Sequence, residues 1–386
     1  MKKLRVGILF GGRSGEHEVS LLSAASVLRA IDKDKYEVVP IGITKEGRWL
    51  TADDAENLLQ GKLVIEPRHL RAGDPETTQA AAVLAQGESV VVPPEPVHRE
   101  RGLVPFQTDV ALTRRASDRA INVDVIFPVL HGTFGEDGTI QGLLELAELP
   151  YVGAGVLASS ASMDKEVMKR LAKERGLPVV DYLVMSSDNV SNVESVCSRF
   201  EFPVFVKPAN LGSSVGISKA RNCEELKSAL ELAASYDRKV IVERGIIGRE
   251  FECSVLGNED PIAAVPCEIL PSRDFYDYDD KYLLEKAETV IPANLSPEQT
   301  AELQRLAVEC YRAVECEGMA RVDFLLESAS EKLYINEINT IPGFTSISMY
   351  PKMWEYSGLP MPKLIDRLIE LALERHEAKK RLRYTK

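Results

Sequence analysis

Apolar residues in this chain fall into short runs divided by glycine, proline and charge, and the runs carry two different periods. Residues 4–10 (LRVGILF) form a continuous apolar run that stops at Gly11-Gly12, which predicts a buried strand; 19–31 repeat their apolar positions at helical spacing, and 36–43 read as a second strand. Strand, helix and strand in that order make a βαβ start. Another buried strand is predicted over 123–130, ending at His131-Gly132, then a helix over 139–149 and a strand-like Tyr151-Val152. Residues 1–155 therefore read as a doubly wound α/β domain. Within them 51–119 are poorly patterned, Pro93-Pro94-Glu95-Pro96 suggests loop, and no function is read there.

Beyond that domain a helix is predicted over 163–175, closed by Gly176 and followed by Pro178. Strands at 202–207 and 217–219 flank a loop, 208–216, and a helix at 224–234 with a strand at 239–243 completes a central unit, 156–248. Antiparallel-looking strands at 250–256, 262–269, 321–326 and 333–338, with helices over 297–315 and 362–377, make a C-terminal α+β unit, 249–378, ahead of a basic tail, 379–386. No internal repeat is evident.

The chemistry concentrates in Arg321-Val322-Asp323 and Glu337-Ile338-Asn339. Alternate strand residues share a face, so Arg321 projects with Asp323 and Glu337 with Asn339. If 328–332 turn a hairpin with strands of equal length, Asp323 stands opposite Glu337 and Arg321 opposite Asn339, with Cβ atoms about 5 Å apart. Facing carboxylates are destabilising without a cation between them, and two carboxylates with an amide suit Mg²⁺ bridging phosphates. A solvated charged face is the alternative, but the residues between are apolar, which favours metal.

Three further segments carry candidate chemistry. Phe205-Val206-Lys207-Pro208 followed by Gly212-Ser213-Ser214-Val215-Gly216 puts a lysine before a small, hydroxyl-rich loop, which suits closure over phosphates or an ordinary hairpin; it is not GxxxxGK[ST]. Lys165 begins a helix, where a cation opposes the macrodipole, and this points to a lysine that reaches phosphate rather than solvent. Gly11-Gly12-Arg13-Ser14-Gly15-Glu16 lies between strand and helix and reads as an anion-binding turn without the full GxGxxG pattern. His131, at a strand end, fits either a ligand contact or a satisfied structural histidine. Residues 271–292, bounded by proline and rich in tyrosine and aspartate, read as a lid.

Taken in order from Gly11 to Ser348, and above all in Arg321-Val-Asp323 with Asn336-Glu337-Ile-Asn339-Thr-Ile-Pro-Gly343-Phe-Thr-Ser-Ile-Ser348, these motifs resemble those of the D-alanine:D-alanine ligase family. The resemblance implies an ATP-grasp fold behind an N-terminal doubly wound domain. It implies ATP as co-substrate and two magnesium ions, with manganese able to substitute, on Asp323, Glu337 and Asn339. Arg321 would hold the oxyanion of the tetrahedral intermediate. Lys165, Lys207 and Lys281 would reach the phosphates, with Gly212, Ser213 and Ser214 as the closing loop. Glu243 and Ile246 would meet adenine, Glu243 accepting from its amino group, and Glu250 the ribose. Glu16 would face the ammonium of the first D-alanine and His131 its carboxylate, with Val19 beside them. Gly343, Ser348 and Met349 would take the second D-alanine, and Tyr282 would join Glu16 and Ser213 to lock the lid. The family's dimeric habit implies a homodimer. The rivals are a D-alanine:D-lactate ligase, whose group carries His where this chain has Tyr282, and an ATP-binding regulatory protein with a decayed site.

Composition narrows the picture further. At 386 residues and 45% hydrophobic the chain can build two or three cores, and its net charge of −12 argues against nucleic acid or anionic membranes as partners. The basic tail reads as a solvated helix end. Residues 1–3 mimic a signal-peptide start, but the apolar stretch that follows is too short for one, and no run is long enough to span a bilayer. Cys197, Cys223, Cys253, Cys267, Cys310 and Cys316 lack zinc spacing, so reduced structural thiols in a cytoplasm are expected.

Overall fold

The computed structural model describes residues 3–51, 80–81, 83–84, 88–93, 102–105, 121–212, 215–270 and 288–383. The first sheet contains β1 (Leu4–Gly11), β2 (Tyr36–Ile43), β3 (Trp49–Thr51), β4 (Glu88–Val91), β5 (Gly102–Pro105), β6 (Ile121–Asn122) and β7 (Val125–Pro128), in the order β6-β5-β4-β3-β2-β1-β7. β1 pairs in parallel with β2 and β7, as a doubly wound domain requires. The strands from β3 to β6 extend it antiparallel, which the weak pattern of 51–119 does not reveal. At the end of β1 a Cβ on Gly11 would lie 2.2 Å from the Ile43 carbonyl oxygen and φ is +89°, so only glycine lets the chain turn there into α1 (His17–Ala30).

Between β7 and the second sheet run α2 (Thr139–Leu146), α3 (Val156–Met163) and α4 (Lys165–Glu174). The expected single helix over 163–175 instead starts afresh at Lys165. Asp164 adopts extended backbone and its side chain accepts from the N–H groups of Glu166 and Val167, a capping geometry that separates the two helices.

β8 (Tyr182–Ser186), β9 (Val204–Pro208), β10 (Ser218–Ala220) and β11 (Lys239–Arg244) form the second sheet, in the order β10-β9-β11-β8, covered by α5 (Val193–Cys197) and α6 (Cys223–Ala234). Cys197 and Cys223 are joined in a disulfide, with Cα atoms 6.3 Å apart. This corrects the expectation of six reduced thiols: the packing of α5 beside α6 brings together two cysteines far apart in sequence. The other four are free and buried, as expected.

The third sheet contains β12 (Gly248–Gly257), β13 (Ile262–Ala263), β14 (Cys267–Leu270), β15 (Glu288–Val290), β16 (Gly318–Glu327) and β17 (Leu333–Asn339), all antiparallel around a central β12–β16 pair. The single strand expected over 262–269 is two, β13 and β14. α7 (Pro297–Ala313) packs on this sheet, opened by a capping box between Ser296 and Gln299. α8 (Met349–Tyr356) and α9 (Met361–Lys380) close the chain.

α9 couples the two ends of the molecule. Its Leu364, Ile365, Leu368 and Ile369 share one core with Val6, Ile8 and Val125 of the first sheet and Leu28 of α1. Arg375 donates to the backbone oxygens of Tyr151 and Gly153 and stacks on the Tyr151 ring, 4.4 Å from its centroid. Lys379 pairs with Glu145, so the first residues of the expected basic tail belong to the helix and to this contact. No helix among the described residues is long and apolar enough to cross a membrane.

Because Leu368 is fully buried where the N-terminal sheet meets α9, Leu368→Ala should lower unfolding stability by about 2–5 kcal/mol. Urea unfolding followed by circular dichroism measures this, and a change below about 1 kcal/mol would mean the two units do not share that core.

Candidate active site

The cross-strand pairing inferred from sequence is present. Arg321 faces Asn339 and Asp323 faces Glu337 in the β16–β17 ladder. The count leading to it differs, because Asn336 is inserted as a bulge: Phe324 pairs with Ile335, so Asn336 and Glu337 follow each other on the half-exposed face. The described residues also answer the mutual repulsion of the two carboxylates. Arg321 grips Asp323 with two hydrogen bonds of 2.7 Å and reaches Glu252 on β12 at 3.3 Å. Asn339 Nδ2 donates to Asp323 at 3.0 Å, and Lys165 Nζ stands 3.6 Å from Glu337. Arg321 is thus not the only cation on this face.

The bulge also aims Asn336 at a lysine pair. Lys207 Nζ donates to Asn336 Oδ1 at 3.2 Å and lies 2.7 Å from Glu243; Lys169 Nζ donates to the Asn336 carbonyl at 3.1 Å and lies 2.8 Å from Glu243. Burial raises the Glu243 carboxyl, but Lys169 and Lys207 outweigh it and hold it down to about 2. Burial draws Lys207 down, yet Glu243 and Glu337 raise it on balance; Lys169, with another ammonium beside it, stays lowered by burial. Two lysines lie against the Glu243 carboxylate and balance its charge.

Lys165 begins α4 as predicted and is buried, not solvated: its ammonium donates to the Leu211 carbonyl at 2.6 Å, beside Gly212. These groups stand at the end of a cleft of about 440 Å³ between the second and third sheets. Lys207, Ile246, Glu250, Asp323 and Glu337 line it, together with the apolar Phe205 and Leu325. Sequence reasoning missed Lys169 and the placement of Asn336. Lys169 left one signal, a lysine one helical turn after Lys165 on the same face as the buried Met168 and Ala172.

The opposite end of the site is built by the N-terminal domain. Glu16 stands at the N-terminal boundary of α1 without a side-chain capping bond, and its Oε2 sits between two loops, 2.5 Å from where a Cβ on Gly132 would stand and 3.3 Å from one on Gly212. The structure therefore brings Glu16 to the glycine-rich loop. Ser213, Ser214, Lys281, Tyr282 and the expected lid lie outside the described residues. Val19 is buried in the first turn of α1, and Met349 opens α8 half-buried with Sδ 3.5 Å from Cys267 Sγ. Gly343 permits a close approach, since a Cβ there would fall 2.6 Å from Ser348 Oγ, the oxygen that accepts from Thr345 N–H.

His131 is buried, with both ring nitrogens bonded to protein groups. Its Nδ1 bonds the Ile341 carbonyl at 3.0 Å and its Nε2 bonds Ser23 Oγ at 2.8 Å. Burial lowers its pKa, so the ring is neutral, donating from Nδ1 and accepting at Nε2. Glu136, unnoticed in the sequence, accepts from Gly132 N–H at 2.8 Å and Ile341 N–H at 3.0 Å, and burial with the charge of Glu16 raises its carboxyl to about 8.

Comparison with known proteins places this geometry in a family. Residues 5–154 match the family model described as D-ala D-ala ligase N-terminus, and 171–370 the one described as D-ala D-ala ligase C-terminus. The chain is 55% identical over 384 residues to the D-alanine–D-alanine ligase of Solibacter usitatus, covering 100% of both, and 47% identical to D-alanine–D-alanine ligase A of Escherichia coli K12, again covering 100% of both. Among solved structures it is similar to the D-alanine-D-alanine ligase of Coxiella burnetii, with TM-score 0.79 and 36% identity over 99% of this chain and 97% of that one. It is also similar to the VanG D-Ala:D-Ser ligase of Enterococcus faecalis, with TM-score 0.80 and 35% identity over 96% and 100%. The expected ATP-grasp fold is borne out.

Glu243 yields a pH prediction. Its folded pKa of about 2 lies below the ordinary 4.5, so its contribution to stability is present above about 4.5 and is lost as pH falls toward 2. Lys169→Met removes one of its two cations and should shrink that acid-dependent fall. Urea midpoints taken across this pH window measure the effect, and superimposable profiles for the two proteins would detach Lys169 from Glu243.

Proposed function

The chain belongs to the D-alanine–D-alanine ligase family and is an ATP-dependent ligase that joins two D-alanines, and we propose how its own residues divide that work. The carboxylate of the first D-alanine takes the γ-phosphoryl of ATP, releasing ADP; the amine of the second then attacks the acyl carbon and phosphate leaves. The observation that carries the reading is the facing set Arg321, Asp323, Glu337 and Asn339 at the end of a cleft whose other wall brings in Lys165 and Lys207.

Asp323, Glu337 and Asn339 suit magnesium by their chemistry: two carboxylates and an amide offer oxygen donors on one face, beside lysines placed for phosphate. Bound there, magnesium neutralises phosphate charge, and manganese offers the same coordination. Lys165 and Lys207 place positive charge along the phosphates, and the Gly212 loop closes over them. Ile246 borders adenine and Glu250 the ribose, while Glu243 keeps the two lysines of its pocket in place. Glu16 faces the ammonium of the first D-alanine. Gly343, Ser348 and Met349 shape the second amino-acid position, with Val19 behind the first. Arg321, anchored by Glu252 as well as Asp323, offers a guanidinium to the oxyanion of the tetrahedral intermediate. Tyr282, Ser213, Ser214 and Lys281 are assigned by resemblance to closing the site. A homodimer in the cytoplasm, with neither nucleic acid nor membrane as partner, fits this family and the acidic chain.

A coupled assay of ADP release tests the reading: D-alanine with ATP and magnesium should support turnover, and L-alanine, D-lactate or D-serine alone should not. Asp323→Asn and Glu337→Gln should abolish it while unfolding transitions stay near wild type; near-normal rates in either variant at low millimolar magnesium would remove the metal assignment. Arg321→Ala should lower kcat on the order of 10²- to 10³-fold with little change in the KM for ATP. A change confined to that KM would move Arg321 to the nucleotide.

A further inference from the structure

Ligation needs the two amino acids held in register, and the groups that hold them belong to different domains. The His131-Gly132 loop and Glu16 are N-terminal; the segment from Ile341 through Gly343 to Ser348 is C-terminal. Side chains of the N-terminal domain pin that segment at three backbone atoms. His131 Nδ1 donates to the Ile341 carbonyl at 3.0 Å, Glu136 Oε1 accepts from Ile341 N–H at 3.0 Å, and Ser23 Oγ accepts from Phe344 N–H at 3.2 Å. The N–H and the C=O of Ile341 are therefore both taken by one six-residue stretch, 131–136, and Gly343 lies between the pinned atoms.

Glu136 does more than the other two. Its second oxygen, Oε2, accepts from Gly132 N–H at 2.8 Å, and its own N–H donates to the Gly132 carbonyl at 2.8 Å. One carboxyl thus closes the loop that borders Glu16 and, with its other oxygen, holds the turn that borders the second amino acid. Each oxygen accepts from one main-chain N–H at ordinary hydrogen-bond length, so the side chain bridges the two segments directly. It is also rigid, because both donors are main-chain atoms of turns already fixed by glycine and proline.

We propose that Glu136 is a positioning residue for ligation, its two oxygens setting the register between the loop that receives the first D-alanine and the turn that receives the second. The proposal rests on the substrate assignments above. It assigns Glu136 no contact with either substrate or with ATP, whose lysines and cleft lie elsewhere, so its loss falls on D-alanine and on the bond-forming step. A displacement of about 1 Å in such a geometry costs on the order of 100-fold.

The experiment measures ADP release by the full chain in Glu136→Ala and Glu136→Gln, with D-alanine and ATP varied separately and thermal unfolding recorded. Wild-type turnover with D-alanine is the control that tests the substrate assignment itself, independently of any variant. For Glu136→Ala we expect kcat/KM for D-alanine to fall about 100-fold while the KM for ATP stays within about twofold. Glutamine retains one acceptor but turns an amide N–H₂ toward the other donor, so it should recover only part, about 10-fold below wild type. Alanine kinetics within about threefold of wild type, or a KM for ATP that rises in parallel with that for D-alanine, overturns the proposal. If the alanine variant does not fold, glutamine decides: a selective loss toward D-alanine supports the register role, and wild-type kinetics refutes it.

Discussion

Two carboxylates placed opposite each other across a β-hairpin repel, and everything around the site follows from how that repulsion is balanced. At about 5 Å and an effective dielectric of about 20, two unit charges cost roughly 3 kcal/mol. Asp323 is answered within its own face by the fork of Arg321, and Glu337 from outside by Lys165 at the start of α4. Both carboxylates border the cleft. On the reading proposed above, this strand pair would take a divalent cation beside polyphosphate, with Arg321 and Lys165 as the protein's own counter-charges.

A second balance lies behind the first. Glu243 with Lys169 and Lys207 makes a buried triplet with one excess positive charge, tied to the β16–β17 bulge through Asn336. Buried ion pairs rarely add net stability, since desolvation offsets their attraction. Their value here is placement: the triplet fixes Lys207 at the wall of the cleft and is tied to the bulge beside Glu337. The bulge, the lysines and the carboxylate face therefore form one connected structure.

The remaining constraint is that the site belongs to no single unit. α9 buries its apolar face in the N-terminal core, and His131, Ser23 and Glu136 hold the 341–344 segment from the N-terminal side. The shared apolar core holds the two units together, and the directional hydrogen bonds to the 341–344 segment fix how they meet.

Much of this was legible in the chain. Period-two alternation around Arg321-Val-Asp323 and Glu337-Ile-Asn339 fixes which residues share a face, and that local rule was enough to put Asp323 opposite Glu337. Strand and helix periods likewise marked β1, α1, β2 and α7 to within a few residues, and the motifs in their order identified the family. What no local pattern could decide was anything that depends on which distant segments meet. The Cys197–Cys223 bridge, the partners that His131 and Glu243 find, and the link from Glu136 to Ile341 all arise from contacts between separate elements, and the bulge at Asn336 from the register of one hairpin. Periodicity reports whether a side chain faces a core or solvent; the partner it finds there, and therefore its charge and its task, is set by the tertiary structure alone.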